Sequence, residues 1–298
     1  MELNQKISFY EKRDFGEKIN VTFAFLRQNF VPLAKSILFI AGPFILLVAI
    51  IAGVYQATML GVSSDQEAFD YMSIMTQSSL ASFLSIFVSA LLVAVVYAYV
   101  VLYVERDDYQ YITVSDVWNM AKQHYLSVVL SVFVYSILFV IGFMLLFIPG
   151  FIVLAALSFL FIIQMKERIS FGEAFSRCFK LVSSNYLSTL GLIFVMTFLI
   201  MVLGIVITLP FSIALGVPAF FSISQDATMS DAGGLMKGLF ILLQVVSSLI
   251  SYLLYAILLI AIAFQYSNLV EKKEAAGLLE SVGTIGTRRE ADGESETY

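Results

Sequence analysis

Residues 80–104 read LASFLSIFVSALLVAVVYAYVVLYV, an apolar run without one charged residue. A helix needs around 20 such residues to cross about 30 Å of hydrocarbon, and this stretch has length to spare. Similar runs lie on either side of it, at Leu33–Tyr55, Leu126–Ile148, Phe151–Met165, Leu187–Leu209 and Gly238–Gln265. With 80–104 they make six expected transmembrane helices, and Lys35 is the only charge inside any of them. It sits near a span end, where its stem can carry the ammonium out to the interface.

The composition points the same way. Of the 298 residues 60% are apolar and 13% charged, where a soluble domain carries roughly 25% charged residues. That much Leu, Ile, Val and Phe cannot fit inside one soluble core, so lipid is the solvent for much of the chain. A soluble enzyme, a disordered chain and a nucleic-acid reader are excluded, and a net charge of −5 supplies no basic groove. One cysteine, Cys178, and one histidine, His124, leave no internal disulfide and no His-rich metal site. No phosphate loop, zinc spacing or carboxylate pair stands out in the segments between spans. No catalytic residue, cofactor or metal is expected.

Orientation follows from the basic residues, which concentrate on the cytoplasmic side. With the N-terminus inside, every one of the 17 Lys and Arg falls on inner segments except Lys237. Both termini are therefore expected in the cytoplasm. The first 30 residues are too charged for a signal peptide, so the first span should be retained. The fourth span is short: residues 151–165 make only about 22 Å of helix. Pro149-Gly150 breaks the chain before it, and is read as the turn of a tight hairpin. A re-entrant pair is the alternative.

An internal repeat organises the inner segments. Asp14-Phe-Gly-Glu17, then Phe23 and Asn29, matches Ser170-Phe-Gly-Glu173, then Phe179 and Asn185, at a constant offset. A fainter middle copy starts at Thr113-Val-Ser-Asp116 and ends at His124-Tyr125. Each opens with a capping-box pattern and continues with apolar residues at helical spacing. The expected fold is all-α, integral to the membrane, as three repeats of a cytoplasmic amphipathic helix plus a transmembrane hairpin. The repeats span about 14–104, 113–165 and 170–265, inside one membrane domain of 14–270. A cytoplasmic segment 1–13 precedes it, and a tail 271–298 with a disordered end follows. Asn29, His124 and Asn185 mark the expected helix-to-span junctions, where a polar side chain caps a helix or bonds a nearby carbonyl. For His124 a pH-sensing or ligand role is the alternative. Cys178 is placed on an interfacial helix near lipid, where reversible acylation is conceivable.

Polar residues inside the spans fall in stripes. Gln244, Ser248, Ser251 and Tyr255 share one face of the sixth span; Ser82, Ser85 and Ser89 share one of the second; Ser127, Ser131 and Tyr135 share one of the third. Such stripes let helices approach and bond, or they line a polar path or ligand cavity. No Asp, Glu, Arg or His lies in the membrane core, which argues against an ion-coupled carrier. Between spans five and six, Ala219-Phe220-Phe221 is too apolar for a free loop. It is expected in a short helix covering the outer end of spans three and four.

Ile148-Pro149-Gly150, Met165-Lys166-Glu167, Ala174 to Leu181 and Asn185 together resemble a recurring bacterial pattern. It is that of the six-helix membrane-domain family named after the membrane domain of glycerophosphodiester phosphodiesterases. The closing Phe264-Gln265-Tyr266 with Asn268-Leu269-Val270-Glu271 is similar to its stand-alone members. The resemblance implies a multi-pass protein of the bacterial inner membrane and carries over no catalytic position. The first functional expectation is a non-enzymatic scaffold or accessory subunit, with the lipid bilayer and a membrane-protein partner as its contacts. The second is a conduit or carrier for a lipid or small amphiphile, and the third an enzyme on lipid head groups.

Overall fold

A computed structural model describes residues 5–59, 68–145, 147–183, 185–223 and 234–275, and among them every regular element is helical. The helices are α1 (Phe15–Ile40), α2 (Gly42–Met59), α3 (Ala68–Glu105), α4 (Val114–Leu145), α5 (Phe147–Leu157), α6 (Leu160–Glu167), α7 (Phe171–Val182), α8 (Tyr186–Ile223) and α9 (Gly234–Glu274). Six stretches are long and apolar enough to cross a membrane: Phe15–Ile40, Ser78–Glu105, Val114–Met144, Ile148–Glu167, Tyr186–Pro210 and Ile241–Glu274. The chain is a multi-pass membrane protein.

The first span differs from the sequence reading. Instead of an amphipathic helix followed by a span from Leu33, α1 runs unbroken through Pro32 to Ile40. The break falls at Ala41, because Pro43 has no N–H to offer the carbonyl four residues back. Phe44 and Ile45 both turn to the Ala41 carbonyl instead, at 3.1 and 2.9 Å. The expected span 33–55 is thus shared between the end of α1 and the shorter apolar α2. The middle copy is also continuous, since α4 carries the interfacial segment straight into the membrane. Only α7 and α8 are separate helices. Their junction, residues 183–185, reads Ser-Ser-Asn, side chains that compete with the helix for its backbone groups. Asn29 and His124 consequently lie inside helices, and Asn185 alone marks a junction.

Pro149 and Gly150 are not the hairpin turn either. They fall in the first turn of α5, where a proline lacks only a donor that has no partner anyway. No described glycine has a positive φ. Gly150 serves close packing instead: a Cβ there would meet the Phe143 ring at 2.5 Å. Beyond Pro210, α8 continues to Ile223 as one helix, so no separate short helix forms there. The side chains of Ala219, Phe220 and Phe221 lie outside the described residues.

All three expected caps are built. Asp14 Oδ1 accepts from Glu17 N at 2.7 Å while Glu17 Oε2 accepts from Asp14 N at 2.8 Å. Thr113 and Asp116 exchange the same pair of bonds, at 3.3 and 3.0 Å, as do Ser170 and Glu173, at 3.5 and 2.9 Å. Arg106 reaches Asp116 at 3.0 Å, and with the Thr113 donors it holds that carboxyl well below the usual carboxylate range. The loose 3.5 Å contact sets the rank order of two variants. Ser170→Ala should cost the low end of the about 0.5–2 kcal/mol typical of caps, and Asp14→Ala the high end. Hydrogen exchange at the first turns of α7 and α1 measures both. Equal protection loss at the two sites would contradict the ranking.

α3 is the axial post. Between Ala90 and Tyr103 every residue is buried, enclosed by α1, α4, α6 and α9. The N-terminal segment is tied to the same end of the bundle. Lys6 Nζ donates to the Val104 and Arg106 carbonyls at 3.1 and 3.0 Å, placing an ammonium on the negative end of α3. Arg13 N donates to Asn268 Oδ1 of α9 at 2.9 Å. Arg177 of α7 bridges Glu167 and Glu274. We call this the capped end, and it holds the starts of α1, α4 and α7 together with the ends of α3, α6 and α9.

Cys178 faces the bundle rather than lipid. It is fully buried in α7, and burial pushes its thiol up to about 12. The reactive thiolate is therefore almost absent at neutral pH. A maleimide should fail to label Cys178 in the folded protein and label it fully after denaturation. Rapid labelling of the native chain would contradict this packing.

Candidate functional site

The expected stripe on α9 divides in two. At one end the backbone of Gly53 comes close, and a Cβ on it would lie 3.1 Å from Ile241 Cα and 3.3 Å from Gln244 Cβ. Gln244 therefore belongs to the α2–α9 contact, with Ser248 3.4 Å from its amide nitrogen. Towards the capped end the stripe opens. Ser251 is exposed and satisfies itself on the Ser247 carbonyl at 2.8 Å. Tyr255 is surrounded by protein, yet 42% of its surface remains accessible. Its exposed side continues the face of α9 that carries Ser251.

Two more tyrosines lie near Tyr255 inside the bundle. Tyr255 lies within electrostatic range of Tyr97 on α3 and Tyr135 on α4. Tyr97 is completely buried, and its hydroxyl has no partner among the described residues. Leaving a buried hydroxyl unpaired costs about 1–3 kcal/mol. Its neighbours on α3 are satisfied: Tyr99 donates to Asn29 Oδ1 at 3.0 Å and Tyr103 to Gln28 Oε1 at 2.9 Å. Of these three tyrosines of α3, Tyr97 is the one whose hydroxyl has no partner among the described residues.

Much of α8 is bare. α8 packs on α9 but leaves consecutive residues exposed on all sides, Met201 to Leu203 and again Ile205 to Ile207. A helix held on one side buries one stripe and shows the rest. Here even neighbouring faces are bare, although α8 also packs on α5, where Phe194 meets Phe151 at 5.6 Å.

The other stripes behave differently. Ser85 bonds its own helix at Ala81 O, 2.7 Å away, and Ser89 is half-buried without reaching the α9 stripe. Ser131 is fully buried and joined to α6, 2.9 Å from Gln164 Oε1. Asn29 and His124 share one bond, each to the carbonyl four residues back, at 3.0 Å to Phe25 and 3.1 Å to Met120. Asn185 N bonds the Val182 carbonyl at 2.7 Å.

Sequence reasoning passed over the tyrosines of α3 and Gln164. The signal was there, as three phenols and one amide inside spans free of charge. Among the described residues no three His, Cys, Asp or Glu side chains gather as metal ligands. Comparison with known proteins finds no family model, no curated protein and no solved structure that matches this chain.

Proposed function

We propose that this protein binds and conducts a lipid or small amphiphile, which enters the bundle sideways past α8 and meets the tyrosines at its centre. The observation that carries the reading is the buried, unpartnered hydroxyl of Tyr97, close to the exposed Tyr255 and the bare sides of α8. The apolar sides of α8 suit an acyl chain, and three phenols suit the polar group that follows it. No enzymatic step is part of the proposal.

Around that site we place three repeats, each a capping box leading an amphipathic helix into a transmembrane hairpin. The three formed caps and the matching bonds of Asn29 and His124 support this. We also place both termini in the cytoplasm of a bacterium, across its inner membrane. The bond of Arg13 to Asn268 of α9, which joins the start of α1 to the end of α9, supports this, as does the gathering of basic residues there. The resemblance of 148–185 to phosphodiesterase membrane domains fits a membrane unit without catalytic groups.

The bare surface of α8 favours a second reading, in which the helix of a partner subunit covers it and the protein is a scaffold. One experiment separates the two. The protein is extracted from its native membrane in mild detergent and analysed intact by mass spectrometry. A retained lipid-sized mass, lost when Ser251→Trp crowds the tyrosine site, supports the carrier. A stoichiometric membrane protein in place of lipid supports the scaffold and sinks the carrier.

A further inference from the structure

A cavity lies at the capped end, away from the tyrosines. It holds about 280 Å³ between the first turns of α4 and the end of α6. That is the lower end of ligand cavities, enough for a head group and too small for a whole lipid. Its polar lining is Gln123, His124 and Ser127 from α4 with Gln164 and Arg168 from α6 and its cap. Met120, Val128 and Ile169 supply an apolar wall.

We propose that this cavity holds the phosphate of an anionic phospholipid from the adjoining leaflet. The charge balance favours an anion. Arg168 is the one charged side chain of the lining, and it shares Glu105, at 3.1 Å, with Lys166 at 3.2 Å, so the carboxylate outside the cavity only partly neutralises it. The depth favours a membrane lipid, because Gln164 and Arg168 sit where the Ile148–Glu167 span ends. Donors line the floor as well. Gln164 is 3% exposed, and one amide hydrogen goes to Ser127 Oγ at 3.3 Å while the other has no partner among the described residues. Gln123 forms no bond among the described residues. His124 is held by its bond to Met120, which leaves Nε2 as the ring atom open to the cavity.

The backbone adds a supporting detail. Arg168 adopts φ 55°, a left-handed cap where glycine is the unstrained choice. The conformation turns the chain from α6 into α7 while keeping a guanidinium, the bidentate phosphate ligand, at the cavity mouth. Arg168→Gly therefore relieves the backbone as it removes the charge, and the fold should survive it.

This site does not rest on the tyrosine site, and its test is separate. The full chain is delipidated in detergent, and binding is measured by intact-mass titration with phosphatidylglycerol, phosphatidylcholine or glycerol 3-phosphate. Phosphatidylglycerol should bind, with phosphatidylcholine weaker. Arg168→Gly and the exposed, isosteric Gln123→Glu should each weaken it about tenfold, as expected for losing or opposing a charge-assisted bond. Lys180→Gln on the exposed face of α7 should leave binding unchanged, and so should Ser251→Trp at the tyrosine site. Glycerol 3-phosphate binding as tightly as the lipid would assign the cavity to a soluble phosphate ester and overturn the lipid proposal. Equal losses in Lys180→Gln and Arg168→Gly would reduce it to general surface charge and overturn it too.

Discussion

Phe25→Ala should cost the bundle about 3 kcal/mol, the low end of what burying and then deleting a phenyl ring costs. Phe25 is 1% exposed and ties three helices together. Its ring meets Tyr103 at 4.8 Å and Tyr99 at 6.4 Å on α3, and Phe264 at 5.7 Å on α9, all three edge-on. The low end is expected because lipid is itself apolar, so the transfer part of the penalty shrinks. What remains is the cavity and the lost ring pairs, each pair worth about 0.5–1.5 kcal/mol. Phe30 is the control on the same helix, since it is 53% exposed. Unfolding in graded detergent mixtures should show a large shift for Phe25→Ala and almost none for Phe30→Ala. Equal shifts would mean that α1 does not pack against α3 as described.

The same pair of residues shows what the sequence could tell and what it could not. Both lie on the apolar face of a capped helix, and that face is plain from spacing alone. Which side of it meets protein and which meets lipid is not, because lipid and core ask for the same side chains. For the same reason the apolar runs were legible and the burial of α3 on every side was not. The caps were legible because Asp14, Thr113 and Ser170 act through residues three positions away. Cys178 was misplaced because what covers α7 comes from other helices, α5, α6 and α9, which the spacing of α7 itself does not reveal. Tyr97 carries no local mark at all. Its hydroxyl matters only through the absence of a partner, and that is a property of the assembled bundle.

Gly142 carries the second large expected effect, and it corrects the reading of Pro149-Gly150 most directly. The glycine in that pair suggested a left-handed turn, yet the pair lies in α5 and packs flat against α4. A Cβ on Gly142 would come within 3.1 Å of Gly150 Cα and 3.3 Å of Gly150 N, backbone atoms that cannot rotate away. Small residues at such crossings let two membrane helices approach, and packing there is the main force holding them. Two terms then compete on substitution. Alanine gains about 0.5–1 kcal/mol of helix propensity over glycine, which partly offsets its clash. Leucine gains about as much but adds a whole branched side chain, and overpacking of that kind costs about 1–3 kcal/mol or more. Gly142→Ala should therefore be nearly neutral, and Gly142→Leu should separate α4 from α5 and lower the melting temperature clearly. Phe143 provides an internal reporter, since its ring lies tilted against Phe139 at 4.7 Å and meets Phe151 of α5 edge-on at 5.2 Å. A cysteine pair placed across α4 and α5 should crosslink readily in the parent and poorly beside leucine. Unchanged crosslinking with an unchanged melting temperature would show that the glycines do not set this helix crossing.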